Sequence, residues 1–385
     1  MRSIAILFAT TVLATSACSK KDEGTAGAAG SASAASSTTA AAPAQLDPTL
    51  VEHVKAHVEK CTVNVEQGQA YSCKDKVTEA MAAYVREKKP EGFASTLIAL
   101  VQKKDDEKTS AAAVALLSEQ FDNLGEEGKR KNASAAVTTS ALAMLKENAG
   151  NRATRLAPAV AQLATLSGSF DDLYAAVDAH PVKEARDNAY RNLLVFGRLK
   201  TLPKLKEVAE KKSEHAAAAL DAPRKPMTKW TDEERGAICA WAKGYLADKS
   251  LTTASVAAND MILCKGEYID ALLAEAETRL KNKEFKDPFA IVMREPCFQI
   301  VQDLTAKAAG EAQCEAVYTF LEKVANDASA EDSVRGLALW NIYYQRRDEK
   351  TLKLMRKYEK HPNAEVAKRA KEAIASLTTT YKLKG

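Results

Sequence analysis

The chain has few aromatic residues, 6% of its 385 positions, and almost no alternation of apolar with polar residues. Val63-Asn64-Val65 is the lone stretch of strand type, so an extended sheet is excluded and one small hairpin is the most β-structure expected. Catalytic motifs are missing too. There is no H-E-x-x-H, no G-x-S-x-G, no G-x-G-x-x-G and no phosphate loop, which removes the common signatures for zinc hydrolysis, serine acyl transfer and dinucleotide or nucleotide binding. No C-x-x-C pair occurs, so no metal site is expected. Net charge is only +4, too small an excess to point to nucleic acid. The expectation is a protein with no enzymatic activity and no cofactor.

The N-terminus carries an address. Arg2 precedes an apolar run from Ile4 to Ala14, then Thr15-Ser16-Ala17 and Cys18. A run of this length suits a signal peptide and is too short to span a bilayer. Arrangement and spacing resemble a bacterial lipoprotein signal, with Thr15 where that family usually has leucine. The resemblance implies that residues 1–17 are removed and that Cys18 is lipidated as the mature N-terminus. Ser19, in place of aspartate, implies the outer membrane, periplasmic side. Plain secretion after cleavage at Ala17 is the alternative. Residues 18–46, rich in Ser, Ala, Gly and Thr, cannot bury enough apolar surface to order themselves and read as a disordered tether with a span of roughly 30 Å.

Seven cysteines are present. Committing Cys18 to lipid leaves an even set that can pair fully in an oxidising compartment. Pairing in sequence order gives Cys61 with Cys73, Cys239 with Cys264, and Cys297 with Cys314, with crossed pairing among the last four as the alternative. His53, His57 and Cys61 recur every four residues. The histidines read as flanking the Leu50, Val54, Val58 stripe on a solvated helix, with Cys61 committed to its disulfide. His180, His215 and His361 lie near expected helix ends, where capping or the helix dipole accounts for them.

The remainder is dense in helix formers with a helical period. Leu50-Val54-Val58, Val77-Met81-Tyr84, Phe93-Leu97-Leu100, Val114-Leu117-Phe121 and Leu156-Val160-Leu163 are successive stripes separated by Gly, Pro or polar stops. Thr231-Asp-Glu-Glu234 is a capping box. Two segments match each other: Ala185-Arg-Asp-Asn-Ala-Tyr-Arg-Asn-Leu193 and Val334-Arg-Gly-Leu-Ala-Leu-Trp-Asn-Ile342, each followed by Lys-Thr-Leu at 200–202 and 350–352. A weaker copy is Val366 to Ile374. This pattern resembles HEAT-type repeats. The resemblance implies an all-α fold, a right-handed α-solenoid of antiparallel helix pairs. N-terminal helical repeats over 47–220 and C-terminal HEAT-like repeats over 231–380 would flank a loop or hinge at 221–230, where prolines break the period.

Stacked helix pairs make extended binding surfaces. The expected function is therefore an envelope-anchored scaffold that binds a protein partner. The alternative is binding of an acidic envelope polymer or lipid through the basic section from Arg346 to Lys384. Candidate binding residues are Trp340, Arg356, Lys357, Arg369 and Lys371. Trp340 and its aromatic neighbours serve equally as core, and aromatics at helical spacing usually do.

Overall fold

The computed structural model describes residues 46–224, 230–261, 269–286, 293 and 307–384. The expected signal peptide, Cys18, the expected tether before residue 46, Cys264 and Cys297 lie outside the described residues, as do residues 225–229 of the expected loop.

The fold is mostly α, as the stripes require. Helix α1 (Pro48–Lys60) starts where Asp47 accepts hydrogen bonds from the Thr49 and Leu50 amides, with proline in the first turn, a strong start signal. The same Asp47 ties three helices together. Its amide donates to Thr96 Oγ1 at 2.9 Å, and its carboxylate accepts from the Tyr84 hydroxyl at 3.2 Å. Those partners sit on α3 (Phe93–Val101) and α2 (Val77–Lys88). Between α1 and α2 lies the expected hairpin, β1 (Thr62–Asn64) and β2 (Gln69–Tyr71), antiparallel with Thr62 opposite Tyr71 and Asn64 opposite Gln69. Its turn needs Gly68. The backbone there has φ +56°, and a Cβ would stand 2.6 Å from a Val114 methyl, so both conformation and space exclude a side chain.

That methyl belongs to α4 (Glu107–Gln120), in which every residue from Ser110 to Leu117 is buried. A helix apolar on all sides must be covered on all sides, and α1, α3, the hairpin and α7 (Gly150–Ser167) cover it. α5 (Gly125–Asn132) is polar, yet buries Asn132. That side chain accepts from the Ala94 amide at 2.8 Å and donates to the Pro90 carbonyl at 3.0 Å, closing the α3 entry.

From α6 (Ala135–Glu147) onward, several helices two apart in order pack together. α6 meets α8 (Phe170–Asp178), and α7 meets α9 (Lys183–Gly197). α9 meets α11 (Ala216–Leu220), which meets α13 (Leu251–Asp260), while α10 (Leu202–Lys211) lies between α9 and α11 in sequence. The chain then runs through α12 (Asp232–Lys243) and α14 (Ile269–Lys281), and later α15 (Lys307–Asn326), α16 (Asp332–Gln345), α17 (Glu349–Tyr358) and α18 (Ala364–Thr379). α15 packs on α16, and α18 packs on both α16 and α17.

The apolar core has two clusters, one over residues 50–257 and one over 239–377. They interleave on α12 and α13. Ile238 and Trp241 join the first, while Cys239 and Ala242, on the other side of the same turns, join the second. The described ends of the 221–230 segment are pinned. The Trp230 indole donates to the Pro223 carbonyl at 3.3 Å, and the Arg198 guanidinium lies 4.4 Å over its ring. The capping box at Thr231 forms as expected, and its Glu234 also accepts from Arg198 Nε at 2.8 Å.

The two matching segments fall inside α9 and α16. Their central alanines, Ala189 and Ala338, are fully buried, as are Thr201 and Thr351 at the starts of the helices that follow. Among the described residues no helix is long and apolar enough to cross a membrane.

Candidate functional site

The residues expected to bind a partner do not form one free basic surface. Trp340 is half-buried, its ring 4.7 Å from that of Tyr343, and Arg369 lies 5.6 Å over it. Arg369 also donates to Glu365 and to Glu372, each at 3.0 Å. The structure thus brings Trp340 and Arg369 together, but as a covered aromatic under a paired cation. Elsewhere in the basic section, Arg346 stacks 4.4 Å over Tyr318 and pairs with Glu315 at 3.0 Å. Arg347 stands among the rings of Tyr343, Tyr344 and Tyr381 at 5.9, 5.4 and 5.2 Å. Arg356 and Lys357, in the last turn of α17, and Lys371 on α18 are exposed.

A second polar cluster joins α8, α9 and α10. His215 lies at a helix end as expected, just before α11, and is buried. Its Nδ1 lies 2.6 Å from an Asp187 carboxylate oxygen, and its Nε2 accepts from Arg186 Nε at 3.0 Å. A carboxylate accepts only, so Nδ1 carries the hydrogen. Both ring nitrogens are spent, which leaves no lone pair for a substrate proton, and a histidine–aspartate pair of this kind is structural. Beside it, Asp178 accepts from the Tyr190 hydroxyl at 2.6 Å, Lys204 at 2.7 Å and Lys212 at 2.9 Å. Burial works against its charge, but the hydrogen bonds from Lys204, Tyr190 and Lys212 outweigh burial and hold the carboxyl down to about 2. Burial, reinforced by Asp178, pushes the Tyr190 phenol well up.

A cleft of about 390 Å³ opens where α3, α4, α6 and α7 converge, lined by Lys103, Lys104, Glu107, Ser110, Glu147 and Arg152 among others. Arg152 donates to Ser110 Oγ, which in turn donates to the Val101 carbonyl at 2.7 Å. The Arg152 Nε is buried without a hydrogen-bond partner. α7 starts here at Gly150 with φ +53°, behind Ala149, which has no side-chain cap to offer. Uncapped amides and a guanidinium can together hold a small anion. Nothing in the sequence spacing announces this cleft, because its residues come from four separate helices and the connections between them.

A third cluster surrounds the first disulfide. Cys61 and Cys73 are bonded as expected, with Cα atoms 4.0 Å apart. Cys239 and Cys314 are disulfide-bonded as well. His57, expected on a solvated face, is instead 1% exposed. It stands seven residues after Leu50 and three after Val54, which places it on their stripe. The spacing that identifies the helix therefore also identifies the burial of His57. His53 is half-buried, its ring 5.1 Å from that of Tyr84. His180 and His361 do serve near helix ends, their Nδ1 atoms accepting from the Val182 and Asn363 amides at 3.2 and 3.1 Å.

Comparison with known protein families and with curated proteins finds no match.

Proposed function

We propose that this chain is a binding protein of a bacterial envelope, lipidated at Cys18, in which HEAT-like helix pairs stacked as a right-handed solenoid present a surface to a protein partner. The observation that carries this reading is a recurrence in the packing. Arg186, in the first matching segment, donates to the His180 carbonyl at 2.5 Å, just before its own helix α9. Arg335, at the same place in the second segment, donates to the Ala325 carbonyl at 3.2 Å, in the last turn before α16. Arg186 thus reaches back to a carbonyl in the α8–α9 connection, two residues past the end of α8, and Arg335 to one in the last turn of α15, where helices leave acceptors unpaired. In each case a buried alanine follows, and then a short helix with a buried threonine at its start, Thr201 just before α10 and Thr351 in the first turn of α17. Packing between helices two apart, from α6 to α13, is what stacked pairs require. Disulfides at Cys61, Cys73, Cys239 and Cys314 agree with an oxidising compartment.

The test uses the full membrane-anchored chain with photo-cross-linking residues at exposed Lys353, Lys357 and Lys371. A discrete protein adduct that persists at raised salt is expected. Adducts only to polymer or lipid, lost as salt screens charges beyond roughly 8 Å, would overturn the scaffold in favour of the acidic-ligand alternative. The pairing of Arg346 and Arg369 with carboxylates weighs against that alternative. A second reading, a small anionic ligand in the Arg152 cleft, is favoured by the partnerless Nε. It predicts that phosphate raises the melting temperature of the parent chain and not that of Arg152→Gln.

A further inference from the structure

The His57 cluster takes no part in the binding reading and has a chemistry of its own. Cys61 ends α1 one turn after His57, and the hairpin folds back to bring Cys73 beside it. One ring nitrogen of His57 and both sulfurs lie within 4.8 Å of one another. His57 Nδ1 stands 2.7 Å from the His53 carbonyl oxygen. A carbonyl only accepts, so Nδ1 carries the hydrogen and the lone pair is on Nε2. That Nε2 is buried and has no hydrogen-bond partner. A buried acceptor without a partner is unfavourable, and native structures rarely keep one without a use. An imidazole anchored through Nδ1–H to a backbone carbonyl, with Nε2 bare, is the posture of a metal-ligating histidine.

We propose that reduction of the Cys61–Cys73 disulfide uncovers a His57–Cys61–Cys73 site for a borderline-soft divalent cation of the zinc type, so that redox state gates metal binding. While the sulfurs are bonded to each other, neither is a thiolate and neither can ligate the ion. An external dithiol supplies two electrons by thiol–disulfide exchange. Its two S–H hydrogens pass to Cys61 and Cys73, the S–S bond between them breaks, and the reductant leaves as its own disulfide. The divalent ion then displaces one proton from each thiol and binds two thiolates and Nε2. Three protein ligands leave a fourth tetrahedral position for water or an outside ligand.

The test titrates Zn²⁺ against a chromophoric chelator with the full chain in detergent, either oxidised or reduced by a phosphine. The reduced chain should bind one equivalent that the oxidised chain does not. Joint Cys61→Ser and Cys73→Ser substitution should abolish that equivalent while leaving any sites at the other cysteines. His57→Gln should weaken it at least ~10-fold, with helical circular dichroism confirming the fold. A readout independent of any variant is alkylation of the reduced parent chain, mapped by mass spectrometry: Zn²⁺ should slow modification of Cys61 and Cys73. Zn²⁺ binding indifferent to reduction, unchanged in His57→Gln, or without protection of these two cysteines would overturn the proposal.

Discussion

Replacing Asp178 by Asn should cost this protein stability in a way that depends on pH. The carboxylate takes hydrogen bonds from Tyr190, Lys204 and Lys212, and its pKa falls from the ordinary 3.8 to about 2. A depression of that size corresponds to roughly 2.5 kcal/mol at ~1.36 kcal/mol per unit. The side chain is 30% exposed, so solvent screening trims the figure to about 1–2 kcal/mol. Because the folded-state value lies below the unfolded one, the contribution is fully present above pH ~4 and disappears as pH falls toward ~2. Asn keeps an acceptor for Tyr190 but no charge for the two lysines. Urea unfolding followed by circular dichroism should therefore show Asp178→Asn about 1–2 kcal/mol weaker at pH 7, with the two proteins converging near pH 2. A difference that stays constant across that range, or no difference at pH 7, would refute the electrostatic account of the α8–α10 junction.

Three further outcomes are expected. Cys61→Ser with Cys73→Ser should lower stability by about 3 kcal/mol in a denaturant titration, the loop-closure value for a separation of 12 residues. Ala189→Leu, which forces a larger side chain into a fully buried site, should cost about 1–3 kcal/mol by overpacking, measured in the same titration. Cys18→Ser should shift the protein from the membrane fraction to the soluble fraction after cell lysis, with the helical spectrum of the released chain unchanged.

Local signals were legible in the sequence wherever a single element carries them. The stripe of α1, the capping box at Thr231, the hairpin at Val63 and the short disulfide all depend on residues close in sequence, and each appears in the structure. The two-sided burial of α16 was readable in large part: Val334, Ala338 and Asn341 on one face and Leu339 and Tyr343 on another are buried, while Leu337 and Trp340 are half-buried. The burial of His57 follows from its spacing from Leu50 and Val54, yet a polar residue on an apolar stripe reads more readily as flanking it. What the sequence could not show is assembled from separate helices. The Arg186–His215–Asp187 chain spans α9 and the turn before α11, and the Arg152 cleft draws on four helices. Arg369 falls between these cases. Its partners Glu365 and Glu372 are one turn away on its own helix, so the internal neutralisation was readable, whereas its seat over Trp340 was not.

The central claim, that helix pairs are stacked as repeats, is tested most directly by hydrogen exchange on an Ala338→Leu variant. In a repeat array each unit leans on its neighbours alone, so a packing defect spreads only locally. Exchange should accelerate in residues 332–379 and stay unchanged in 150–211. Equal acceleration throughout the chain would show a single cooperative core and contradict the account.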